Sequence, residues 1–176
     1  MESKAKLLGH PIHPMLIVFP LGLLTMAVIF DLIHLSTTNG YWAGISFYLI
    51  AAGVIGGLLA ALFGLIDWVA IPRGTRAKNI GLVHGLGNVA VIVLFIVSWL
   101  MRRNLPESPS LVAILLGLIG LGLSLITSWL GGELVDRMGV GVDNGAHLNA
   151  PNSLSGRPAS DDISRVRSMP TTHRTA

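Results

Sequence analysis

Two histidines stand three residues apart where the apolar part of the chain begins, each followed by proline: Gly9-His10-Pro11-Ile12-His13-Pro14. A third, His84, lies inside a later apolar stretch, with Asn88 one helical turn further along. Asp67 closes the run before it, and Glu133 and Asp136 close the last run. Imidazole mixed with carboxylate suits iron, zinc or manganese, whereas two imidazoles alone are the axial set of a b-type haem. In lipid such groups are costly unless partnered, so they normally face a helix bundle's interior and mark function.

The elements that position these residues follow from composition. Of 176 residues, 52% are hydrophobic and only 12% charged, against about a quarter charged in soluble domains. The mean hydropathy is +0.69. Four unbroken apolar stretches, at about residues 14–35, 41–71, 80–101 and 111–132, are each long enough to cross a bilayer as a helix. The fold class expected is all-α, an integral membrane four-helix bundle. Residues 1–13 form a lead-in, 14–138 the transmembrane part, and the Ser- and Pro-rich residues 139–176 a disordered polar tail.

Lys4, Lys6, Arg73, Arg76, Lys78 and Arg137 gather on the side of the N-terminus, Arg102 and Arg103 on the other. The positive-inside rule then places both termini of this multi-pass membrane protein in the cytoplasm. Topology accounts for the basic residues without a nucleic-acid partner. With no cysteine, thiolate clusters and covalent haem are excluded. Glycine-rich segments such as GLIGLG lie inside apolar spans, not at strand-to-helix turns, so no nucleotide fingerprint is present.

On these spans His10, His13, Asp67, His84, Asn88 and Glu133 all fall at one end. The residue before a proline is pushed from the α region, so His10 and His13 are expected on extended backbone, with Pro14 in the first helical turn. Pro20 leaves the Leu16 carbonyl without its helical partner and favours a kink. At the opposite end Asp31 and His34, one turn apart, read as an interfacial ion pair. Asp67 has a bland alternative in pairing with Arg73 or Arg76, and Glu133 in pairing with Arg137. The small residues of the second span (Gly53, Gly56, Gly57, Ala60, Gly64) and of the fourth (Gly117, Gly120, Gly131) read first as close packing and second as room for a flat cofactor. Spans one and three each enter near a histidine and spans two and four are glycine-rich, which suggests two hairpins related by a pseudo-twofold axis along the membrane normal.

The segments GHPIHPMLIVFPLGLL, FDLIHL, LFGLIDW, VHGLGNVAV and GGELVDRMGVGV resemble the bacterial membrane family called domain of unknown function 2231, over about residues 9–142. Members of that family occur fused or adjacent to Rieske or cytochrome c modules, so the resemblance implies electron-transfer company. This chain's cysteine-free tail carries no such module, and any Rieske, cytochrome c or quinone partner would be separate. Three functions stay open. In the first, haem b is held by His13 and His84, with Asn88 and Asp67 behind them and Arg73 or Arg76 on the propionates. In the second, His10, His13, Asp67, His84 and Glu133 hold non-haem iron, zinc or manganese in a membrane enzyme or transporter. In the third, the cluster only docks a redox partner. Whether the protein is an enzyme, and whether it is a homo-oligomer, the sequence leaves open.

Overall fold

A computed structural model describes residues 1–161; the last part of the polar tail, 162–176, lies outside the described residues. A short hairpin, β1 (Lys6–Leu7) against β2 (His10–Pro11), precedes the helices. The helices are α1 (Ile12–Leu16), α2 (Val18–Thr37), α3 (Gly40–Ala70), α4 (Arg76–Arg102) and α5 (Leu111–Gly132), the last extended by a π-turn over Glu133–Arg137. Taking α1 and α2 as one, four helices among the described residues are long and apolar enough to cross a membrane. This is the expected all-α bundle.

Boundaries follow local chemistry. The first span breaks at Ile17, where Pro20 offers no N–H to Leu16. Asn39, Thr75 and Ser110 cap α3, α4 and α5, each accepting a hydrogen bond from a first-turn N–H. His10 is extended as expected, but His13 is helical, the second residue of α1. The Pro14 ring still crowds it. Its side chain is anchored to α3, however, and at a helix start the missing proline N–H costs no bond.

Helix α2 packs along α3 and α4 along α5, giving two hairpins joined mainly through α3–α4 and α2–α5. Leu24, Ala27, Val28, Ile50, Val91 and Phe95 form the core, while large apolar residues such as Phe19, Leu62, Leu86 and Ile126 point outward. Lipid is as apolar as leucine, so close packing must hold the helices together. The glycines supply it. A Cβ on Gly53 would lie 2.6 Å from Leu24, one on Gly120 2.8 Å from Phe95, and one on Gly57 2.5 Å from Ile92.

The two hairpins repeat one another. Asp31 and Arg102 are 71 residues apart, and the same offset relates His13 to His84 and Leu24 to Phe95. A second constant offset relates Gly53 to Gly120, Ala60 to Thr127 and Gly64 to Gly131. The contacts repeat as well. Leu24 fills the notch at Gly53 as Phe95 fills that at Gly120, and His13 lies on Gly64 as His84 lies on Gly131. The arrangement has the form of two parallel hairpins about a pseudo-twofold axis.

At the end carrying the histidines, the first residues and the start of the tail form a cap. Gly141 N–H donates to Met1 O, Lys6 pairs with Glu2 and Asp143, and a short 3₁₀ turn (Ser153–Ser155) lies against the hairpin. The hydrogen bond from Lys6 holds the Glu2 carboxyl below its ordinary value, and the bond to Asp143 raises the Lys6 ammonium. The Glu2 contribution is full above its ordinary pKa of 4.5 and is lost as pH falls through the lowered value. The Lys6 contribution is full below 10.5 and is lost as pH rises through the raised value. Hydrogen exchange at residues 2–7, corrected for intrinsic rates, should show a protected plateau between roughly pH 5 and 10 that collapses at both ends. A profile with no collapse at either extreme would contradict the cap.

Candidate functional site

His13 and His84 meet at one end of the bundle, both half-buried, their ring centroids 6.5 Å apart and their planes at 86°. His13 Nδ1–H donates to the Ala60 carbonyl on α3, and His84 Nδ1–H to the Thr127 carbonyl on α5, each at 2.8 Å. Both carbonyls are acceptors only, so each Nδ1 carries a proton, and in the neutral ring Nε2 carries the lone pair. Gly64 and Gly131 let the rings lie directly on the helices. A Cβ at Gly64 would be 2.9 Å from the His13 ring, and one at Gly131 3.2 Å from the His84 ring.

The other expected site residues divide. Asn88 joins His84: its Nδ2 lies 3.2 Å from Nε2 and 3.0 Å from the His84 carbonyl. Thr127, which no sequence motif marks, reaches Asn88 Oδ1 at 3.0 Å. Asp67 accepts from Ser3 Oγ and, at 2.7 Å, from Lys4 N–H, so it fastens the N-terminal segment. Glu133 is held by Arg76 at 3.0 Å, with Arg137 at 4.0 Å. His10 is exposed, with Ser153 at 3.3 Å. Arg73 is exposed and Arg76 already paired, which leaves Arg73 the freer of the two cations. No group of three or more His, Cys, Asp or Glu converges on one point among the described residues.

Two imidazoles on opposite sides of one metal, with metal–nitrogen bonds of about 2 Å, have centroids about 6 Å apart. The His13–His84 separation of 6.5 Å is close to that figure, with the Asn88 amide standing against the His84 nitrogen that a metal would need. The glycines do not supply the expected room: Gly64 and Gly131 are filled by the imidazoles themselves, and Gly53, Gly57 and Gly120 by core side chains.

The opposite end carries a second polar centre. Asp31 does not pair with His34, whose Nδ1 instead bonds the Asn39 carbonyl. Asp31 receives both terminal nitrogens of Arg102, at 2.8 and 3.1 Å, and the two residues are each 1% exposed. Ser46 at 3.2 Å, Ser98 Oγ at 2.9 Å and the Ser98 and Ala113 carbonyls take the remaining guanidinium donors. All four spans contribute, so this is a clasp between the hairpins. The signal that could have found it is the common offset, which sets Asp31 and Arg102 at equivalent positions.

A bundle with four helices, among the described residues, long and apolar enough to cross a membrane, with paired histidines at one end and a buried ion pair at the other, defines an integral membrane protein. The model of the family described as a predicted membrane protein, DUF2231, matches residues 9–144, and the chain belongs to that family. No curated protein and no solved structure matches it.

Proposed function

We propose that His13 and His84 hold one metal centre, haem b, at the cytoplasmic end of the bundle, and that the protein carries electrons within the bacterial inner membrane. The observation that supports this reading is the perpendicular imidazole pair at 6.5 Å, each ring with Nδ1 fixed by a backbone carbonyl. A carboxylate-rich non-haem site is less well supported, because Asp67 and Glu133 are engaged elsewhere. A haem brings its own equatorial ligands, so two imidazoles suffice; when bound it supplies one-electron chemistry. His13 and His84 would hold the iron, and exposed Arg73 would be the cation left to pair with propionates. The clasp supports the cytoplasmic assignment: with Arg102 buried, Arg103 is, among the described residues, the exposed cation of the opposite end that the topology rule still counts. The electron partner is a quinone or a separate Rieske or c-type protein.

A second reading rests on other observations. Asn88 already occupies His84, and the glycines are filled, as a purely structural anchor would have them. The visible spectrum of the detergent-purified protein, expressed with haem available, separates the two. A Soret band that sharpens with α and β bands on dithionite reduction, and is abolished in His13→Ala, is the expected result. A colourless protein with stoichiometric iron, zinc or manganese would move the site to non-haem chemistry. A colourless, metal-free protein would leave the anchor.

A further inference from the structure

We propose that Asn88, aimed by Thr127, masks His84, so that His13 captures an incoming metal centre first and His84 joins only when Asn88 lets go. The capture order rests on the haem reading; the mask does not.

The two histidines are equivalent in the repeat and bond equivalent carbonyls, yet their second nitrogens differ. The group 3.0 Å from the His84 carbonyl oxygen must be the Asn88 amide N–H₂, which fixes the orientation of that side chain. Its other N–H then points to Nε2 at 3.2 Å, where the lone pair left by the Nδ1 proton accepts it. Thr127 lies 3.0 Å from Asn88 Oδ1 and 3.0 Å from the Ser124 carbonyl, close enough to hold the amide at its oxygen. One residue thus serves both sides of the mask, its carbonyl taking the ring N–H and its hydroxyl taking Asn88. His84 has no open lone pair.

In the first hairpin both partners are apolar. One turn beyond His13 stands Ile17, and the carbonyl that holds the ring belongs to Ala60. His13 Nε2 has no hydrogen-bond partner among the described residues. The difference in chemistry between the two half-sites therefore comes down to Asn88 and Thr127. Masking has a use. A fully bonded imidazole offers no lone pair to a stray cation, while the open one keeps a ligand nitrogen available.

The mask is tested on the full chain in detergent with ¹⁵N-labelled histidine and no metal present, assigned through His13→Gln and His84→Gln. The His84 Nε2 resonance should show hydrogen-bond acceptance and move to the free-imidazole position in Asn88→Leu. Thr127→Val, nearly isosteric and so the safer variant for folding, should move it the same way by less, and His13 should move in neither. The order is tested by titrating haemin. His84→Ala should keep five-coordinate, high-spin binding through His13, and His13→Ala should lose far more affinity. Asn88→Leu should bind about two- to tenfold tighter, since one net hydrogen bond no longer competes, with a larger low-spin share. Unchanged ¹⁵N shifts in both variants would overturn the mask. Haemin binding with equal losses in His13→Ala and His84→Ala would overturn the order alone. No haemin binding to wild type would overturn the order together with the haem reading.

Discussion

Arg102→Leu is expected to destabilise the bundle by about 3–5 kcal/mol, because it leaves the Asp31 carboxylate buried with no counter-charge. Asp31 is 1% exposed and receives two of the guanidinium's nitrogens, so the loss is both of charge balance and of hydrogen bonds. Removing both partners is a different matter. In Asp31→Leu with Arg102→Leu no charge remains, and Ser46 and Ser98 can turn to carbonyls of their own helices. That double variant is expected within about 1 kcal/mol of wild type, because a buried ion pair roughly offsets its own desolvation. Unfolding in mixed micelles with rising SDS fraction, followed by far-ultraviolet circular dichroism, gives all the values of the cycle. A single variant that loses less than about 1 kcal/mol would mean that the clasp does not hold the hairpins together.

Gly120→Leu and Gly122→Leu should differ sharply although the two positions are two residues apart. A Cβ at Gly120 would sit 2.8 Å from the Phe95 ring, and that ring is 0% exposed and walled in by the core. It has nowhere to retreat, so α4 and α5 must separate, at an overpacking cost of about 1–3 kcal/mol or more. Gly122 meets nothing within 4 Å. Leucine there should be neutral or stabilise by a few tenths of a kcal/mol up to roughly 1, through its better helix propensity. The same unfolding assay measures both. Equal losses would refute the assignment of Gly120 as the notch for Phe95.

How far the site could be read in advance is shown best by His13 and Asp31. The approach of His13 to His84 is legible because both stand at the same end of their spans, and a membrane fixes the depth of each residue along a helix. Asn88 is legible for a local reason, standing one turn from His84 on the same face. Asp67 and Glu133 share that depth, yet they turn to Ser3 and Arg76. Depth says how high a group stands but not which way it faces. Asp31 makes the same point at the other end. The i,i+3 spacing favours His34, but the rotation of α2 sends His34 outward to Asn39 and Asp31 inward to Arg102, across the axis.

The sequence by itself therefore determined four membrane helices, their boundaries to within a few residues, and the gathering of histidines at one end. Length and polarity against a slab of hydrocarbon settle those questions one helix at a time. Only the tertiary structure decided which glycine meets a side chain and which does not, that His84 is held by Thr127 and Asn88 while His13 Nε2 has no partner among the described residues, and that Asp31 is matched by Arg102. Each depends on the rotation of one helix about its axis relative to another. In lipid that rotation is set by close packing and by pairing of polar groups between helices, both properties of the assembled bundle and of no single span.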